Sequence, residues 1–133
     1  MVKIGLKHDF RCKVYYEDTD AGGVVYYANY LKFIERARTE MVSELGINQV
    51  KLAEEGIFFV VRKVEINYHL PAKLGDELAI STEITDVRNT YMIMHQEVWC
   101  KEQKLITAEV KIACVEKKID GSFKPRRIGK IGC

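Results

Sequence analysis

Between Tyr15 and Tyr30 the chain reads YYEDTDAGGVVYYANY, which puts three carboxylates, two adjacent glycines and five tyrosines into sixteen residues. A carboxylate on a loop can act as a nucleophile or a general base, and is ordinarily ionised at neutral pH. Gly22 and Gly23 let a backbone approach a ligand closely and adopt dihedral angles closed to other residues. A helix starting just beyond them offers free N–H groups and a partial positive charge. No Ser, Thr or Asp immediately precedes Tyr26 to cap that helix, so a ligand oxygen can take the open donors. Spacing alone equally allows a plainer arrangement, in which Asp18 and Asp20 close ordinary side-chain-to-backbone turns and Asn29 caps the helix.

The elements that must position these residues follow from periodicity. Phe10–Glu17, FRCKVYYE, is aromatic and β-branched and predicts a strand, with a loop over Asp18–Gly23. From about Ala28 to Leu45 the period lengthens. Tyr30, Ile34, Ala37, Met41 and Leu45 recur three or four apart, an amphipathic helix of about five turns ended by Gly46. NQVKLAEEG predicts a short second helix. IFFVVRKVEINYHL before Pro71, DELAISTEITDV, TYMIMHQEVWC and LITAEVKIACVEK predict four further strands, and Leu78, Ile80, Thr82 and Ile84 share one face of the second. KIDGSFKPRRIGK then reads as a basic tail. The expected class is α+β, an antiparallel sheet of about five strands and one long helix that buries its stripe on it. One helix covers a sheet incompletely, so a homodimer or homotetramer is expected.

Size and composition bound the rest. A chain of 133 residues predicts a single domain over 1–133. A net charge of +2 gives no basic field for nucleic acid. The start lacks a signal-type run, and no segment approaches the ~20 apolar residues of a membrane span. The expectation is a cytoplasmic protein with no stable membrane attachment. Cys12, Cys100, Cys114 and Cys133 form no CxxC and have no His at ligand spacing. Reduced thiols are expected, with no metal and no cofactor.

The run VYYEDTDAGGVVYYANYLKFIERARTEM, followed in order by FVVRK, PAKLGD and KPRR, resembles the hot-dog-fold acyl-CoA thioesterases of the 4-hydroxybenzoyl-CoA thioesterase type. It is most similar to the bacterial enzymes encoded beside the Tol–Pal envelope system. The resemblance spans about residues 12 to 128. It implies a sheet wrapped around the long helix, dimers that pair their sheets, and active sites at the subunit interface. It implies Asp20 as the catalytic carboxylate and the Tyr27 N–H as the donor polarising a thioester carbonyl, with Gly23, Val24 and Val25 around the substrate. A thioester needs a nucleophile or base on one side and oxyanion donors on the other, which fits that assignment. Many relatives of this type carry a catalytic His where this chain has Tyr27. A phenol, ordinarily titrating near pH ~10, is no base at neutral pH, so a His-assisted mechanism is not expected here.

Other candidates carry weaker signals. Glu35 and Glu40 are helical carboxylates, but Lys32 and Arg36 stand three and four residues away, so surface ion pairs are expected. His69 and His95 read as satisfied strand histidines, and His8 as part of a mobile start. Tyr16 and Tyr30 read as core before channel lining. Arg88, Arg126 and Arg127 suit the phosphates of CoA through the guanidinium fork, with a solvated basic end as the equal alternative. The functional expectation is hydrolysis of an acyl-thioester of CoA, or of acyl-carrier protein, by Asp20 as nucleophile or general base. The alternative is a non-catalytic acyl-thioester binder or envelope-complex module on the same fold.

Overall fold

A computed structural model describes residues 2–130; Cys133 lies outside the described residues. Strand β1 spans Lys7–Lys13, helix α1 Tyr30–Glu44 and helix α2 Gln49–Glu54. Strands β2 (Ile57–Tyr68), β3 (Glu77–Val87), β4 (Tyr91–Cys100), β5 (Gln103–Lys117) and β6 (Phe123–Pro125) complete it. The sheet is antiparallel in the order β1-β3-β4-β5-β2, with β6 pairing the end of β5.

Helix α1 lies on one face of this sheet. Phe33, Ile34, Ala37 and Met41 are buried against the inward residues of β3 and β4, among them Leu78, Ile80, Met92 and Met94. The match follows from two periods: 3.6 on the helix and 2 on the strands each gather apolar residues to the same interface. Gly46, at φ +84°, ends α1 in the left-handed conformation that favours glycine. Three polar side chains sit inside this layer. Arg38 of α1 donates from Nη1 to Gln96 Oε1 at 3.0 Å, and Gln96 Nε2 donates to Thr82 Oγ1 and to the Ile34 carbonyl, both at 2.9 Å. Burial pulls the Arg38 guanidinium below its ordinary pKa, with Glu35 acting the other way.

Several expectations are corrected. β1 begins three residues earlier than Phe10 and ends at Lys13, because His8, Phe10 and Cys12 alternate inward with Lys7, Asp9 and Arg11 outward. His8 is therefore in a strand and pairs with Glu44 at 3.2 Å. After Lys13 the chain leaves the sheet and makes a 3₁₀ turn at Tyr16–Asp18, so Tyr16 is 82% exposed and takes no part in the core. The basic tail is folded back: β6 pairs β5, and Ile128 is buried with its N–H donating to the Asn89 carbonyl at 2.8 Å. Cys12, Cys100 and Cys114 are free thiols, and burial pushes that of Cys114 up to about 11. No helix among the described residues is long and apolar enough to cross a membrane.

The outer face of the sheet is polar. His95 holds Glu109 through Nδ1 at 2.6 Å and Glu97 through Nε2 at 2.8 Å, with Glu83 opposite it on β3. Burial pulls this imidazole down, but the two carboxylates outweigh it and its pKa is raised. The His95 bond in turn holds Glu97 low against its own burial, helped by Trp99 and Lys104. A raised imidazole stabilises the fold fully below its unfolded value of about 6.5 and loses that contribution as pH climbs through the folded value. Glu97 works in the other direction: its contribution is present above the ordinary carboxylate range and lost as pH falls through its folded value. Urea midpoints are therefore expected to fall from mildly acidic pH toward pH 8 or above. In this solvent-accessible cluster the fall is under about 1 kcal/mol. His95→Gln flattens that slope, and a slope unchanged in the variant rejects the assignment.

Candidate active site

The crowded stretch folds into a small hairpin. The Asp20 N–H donates to the Val24 carbonyl at 2.9 Å, the Gly23 N–H returns to the Asp20 carbonyl at 3.1 Å, and Thr19 bridges Val25. Gly23 sits at φ +80°, a conformation few other residues tolerate. The returning limb is fastened to the connection between β2 and β3. Val25 N–H donates to the Ala72 carbonyl at 2.8 Å, and Leu74 N–H to the Gly23 carbonyl at 3.2 Å. Gly23, Val24 and Val25 thus form the limb that holds the tip, and Val25 is buried.

Asp20 stands exposed at that tip. Its Oδ1 accepts the Gly22 N–H at 2.8 Å, the turn that the plainer reading of the sequence described. That turn uses one oxygen; Oδ2 has no protein partner among the described residues. A Cβ on residue 22 would stand 3.3 Å from Oδ1, so glycine there keeps the carboxylate uncrowded. Asp18 has a different task. Its Oδ2 accepts the Tyr15 N–H at 2.9 Å, while its carbonyl accepts the Tyr26 N–H at 3.1 Å and Asn29 Nδ2 at 2.9 Å. Asp18 welds the hairpin to the helix start.

That start is a 3₁₀ turn at Tyr27–Asn29 running into α1, which therefore begins two residues later than periodicity placed it. Asn29 does not cap it: its side chain is spent on Asp18, and its backbone is already helical. The Asn29 N–H donates to the Tyr26 carbonyl at 2.8 Å. The N–H groups of Tyr27 and Ala28 have no acceptor among the described residues. The hairpin is thus tied through Asp18 to a helix start that presents two open donors.

Aromatic rings stand beside these donors. The Tyr27 ring is 63% exposed and lies 4.8 Å from Tyr26 and 6.5 Å from Tyr68, centroid to centroid. Tyr30 is buried, as expected of a core residue, and its hydroxyl accepts the Ala72 N–H at 2.9 Å. Tyr68, the last residue of β2, was not anticipated from the sequence; only its place in the inward alternation with Val64 and Ile66 signalled it.

The basic residues divide. Arg88 and Arg127 line one cavity of about 770 Å³ with Asn89, Thr90 and Tyr91. Arg88 also binds Asp86 through Nε at 2.9 Å. Arg126 turns away to Glu116 at 2.6 Å, and its buried Nε has no partner among the described residues. None of the residues lining the arginine cavity belongs to the Asp20 hairpin. The helical glutamates do not make the expected ion pairs with Lys32 and Arg36, and all four residues are exposed, where such pairs stabilise little. Glu35 instead lines a cavity of about 330 Å³ with Arg38, Thr39 and Val42 of α1 and Phe59 and Val61 of β2.

Comparison with known proteins bears on this geometry. The family model of the thioesterase superfamily matches residues 22–107, from the second half of the hairpin into the start of β5. The chain belongs to the thioesterase superfamily. An acyl-CoA thioester hydrolase, YbgC, of Escherichia coli O6:H1 is 47% identical over 119 residues, covering 89% of this chain and 87% of that one. An acyl-CoA thioesterase, YbgC, of Helicobacter pylori is 38% identical, covering 91% and 93%. The crystal structure of a probable thioesterase from Bartonella henselae superposes with a TM-score of 0.84 at 41% identity, covering 92% and 99%. A 4-hydroxybenzoyl-CoA thioesterase variant solved with 4-hydroxybenzoyl-CoA reaches a TM-score of 0.85 at 16% identity, covering 93% and 94%, a likeness of fold alone. The fold of this thioesterase is thus the hot-dog that its motifs implied: a sheet wrapped around one long helix.

Proposed function

We propose that this thioesterase-superfamily member hydrolyses acyl-CoA thioesters with Asp20 as the reacting carboxylate and the Tyr27 N–H as oxyanion donor. The observation that carries the reading is the weld through Asp18, which holds the exposed Asp20 tip and the open helix-start donors in one rigid unit. In one course Asp20 takes a proton from water, hydroxide adds to the thioester carbonyl, and the anionic oxygen rests on the Tyr27 N–H. The C–S bond then breaks and the CoA thiolate takes a proton. In the other, Asp20 adds to the carbonyl itself, expels the thiolate, and the resulting mixed anhydride is opened by water. Both yield a carboxylic acid and free CoA. Acyl-carrier protein presents the same thioester and is the second substrate to try.

Two further parts belong to this reading. β2 is a twelve-residue edge strand with Val61 and Tyr68 half exposed, a template for pairing with a second copy. Arg88 and Arg127 receive CoA phosphates, across such an interface. Replacing both by Ala is expected to raise KM for acyl-CoA about tenfold with kcat nearly unchanged, since uniform binding is what is lost. A short pantetheine-like thioester without phosphates should be indifferent to the change. Equal effects on both substrates would place the arginines elsewhere.

The direct test is thiol release from acyl-CoAs running from acetyl to palmitoyl, with benzoyl-CoA, by wild type and Asp20→Asn. Turnover by wild type that collapses in the folded variant supports the proposal. Binding without turnover would instead make the chain an acyl-thioester binder.

A further inference from the structure

We propose that Tyr68 is a positioning residue for the oxyanion donors, fixing the Tyr27–Ala28 peptide through its hydroxyl. The inference rests on the roles given above to Asp20 and Tyr27. The Tyr68 O–H donates to the Tyr27 carbonyl at 3.2 Å, across 41 residues of sequence. Because a peptide unit is planar and trans, holding its carbonyl on one side fixes the N–H on the other, here that of Ala28. The preceding peptide, which carries the Tyr27 N–H, is held in the same way by the Asn29 N–H on the Tyr26 carbonyl at 2.8 Å. Two successive peptides are thus gripped by their carbonyls, and the two N–H groups without acceptors belong to those same peptides.

The grip on the second peptide has to come from outside the turn. The Tyr27 ring is largely exposed, so its side chain does not anchor this backbone in the core. Tyr68 can supply the anchor because its own ring is held. It meets Tyr30 edge-on at 5.8 Å, and Tyr30 is buried with its hydroxyl fixed by the Ala72 N–H. The backbone of Tyr68 is paired in the ladder opposite Ile106. Support therefore runs from the core through Tyr30 and Tyr68 to the donor peptides. A carbonyl that accepts a hydrogen bond also polarises the N–H of its own peptide, which makes Ala28 a better donor to a developing oxyanion. At 3.2 Å on an accessible surface the bond adds little to stability, and that separates positioning from a merely structural role.

The test is Tyr68→Phe, which keeps the ring and its edge contacts and removes one oxygen. It is measured beside wild type and Asp20→Asn on whichever acyl-CoA the wild type turns over. Misaligning a donor costs less than removing it, so kcat should fall about tenfold against the ~10²–10³ of a lost oxyanion donor. KM should stay within about twofold, the pH profile of kcat/KM should keep its inflection, and the melting temperature should not move. The Ala28 amide resonance should shift in Tyr68→Phe while those of β3 and β4 stay in place. An unchanged kcat, or kcat and KM worsening together with a lowered melting temperature, overturns the proposal. The two readings fail separately: a fully active Asp20→Asn removes the carboxylate assignment and leaves the Tyr68 result to be read, whereas an inactive Asp20→Asn beside a fully active Tyr68→Phe removes only the positioning.

Discussion

Asp20→Asn is expected to lower kcat for acyl-CoA hydrolysis by about 10²–10⁴-fold, the worth of a positioned carboxylate. The substitution is chosen because it leaves the hairpin alone. An Asn oxygen can still accept the Gly22 N–H that Asp20 Oδ1 now holds at 2.8 Å, and the amide adds no bulk beside Gly22. What disappears is the charge: an amide neither takes a proton from water at neutral pH nor attacks a thioester. Melting temperature and circular dichroism should match wild type, so any loss is chemical. A single turnover in heavy-oxygen water tests the anhydride course. Label in the Asp20 carboxylate shows that an anhydride formed and that water opened it at the Asp20 carbonyl, whereas water attack at the acyl carbon leaves Asp20 unlabelled, as the general-base course does. Should the variant keep the wild-type rate, Glu35 is the next carboxylate to replace. It is free of the ion pair expected with Lys32 and lines the cavity against Arg38 and Phe59.

The largest stability effect is expected at Gln96. Its side chain is fully buried and both its polar atoms are bonded: Oε1 accepts from Arg38, and Nε2 donates to Thr82 and to the Ile34 carbonyl. Gln96→Leu fills similar space but leaves a guanidinium only 9% exposed without its acceptor, and Arg38 makes no ion pair among the described residues. Breaking a buried charged hydrogen bond while its donor stays behind costs about 3 kcal/mol. Urea unfolding at one fixed protein concentration measures it, since self-association would otherwise enter the midpoint. Adding Arg38→Met should recover about 1 kcal/mol, because the stranded charge, already destabilised by burial, is then gone. A single variant that loses less than about 1 kcal/mol, or a double that is worse than the sum, would show that the network does not hold α1 on the sheet.

Much of this was readable along the chain. The stripe Tyr30, Ile34, Ala37 and Met41 and the alternation Leu78, Ile80, Thr82 and Ile84 are local patterns, and both face the core as read. The carboxylate loop was readable as a motif, and the side-chain-to-backbone turn that the plainer alternative described is present at Asp20, which closes it on Gly22; that the loop is a hairpin was not read. Reading failed where neighbours in sequence were weak guides. Tyr15 and Tyr16 look like strand residues, yet the chain leaves the sheet after Lys13, where the Val14 N–H turns to the Asp76 carbonyl at 2.9 Å. The tail looks like a solvated basic end, yet Ile128 finds a buried seat beside the turn at Asn89.

By itself, then, the sequence determined the two helices, the four strands from β2 to β5, the family and the carboxylate loop, because periodicity and turn chemistry act over a few residues. Only the tertiary structure decided which polar groups meet. Tyr68 reaches the Tyr27 carbonyl from 41 residues away, and Arg38 reaches Gln96 from 58. Both contacts depend on strand register and on where the helix lies along the sheet, and a slip of one residue would turn Gln96 and Tyr68 to the opposite face. No local pattern carries that register; it is set when the whole apolar face is buried at once.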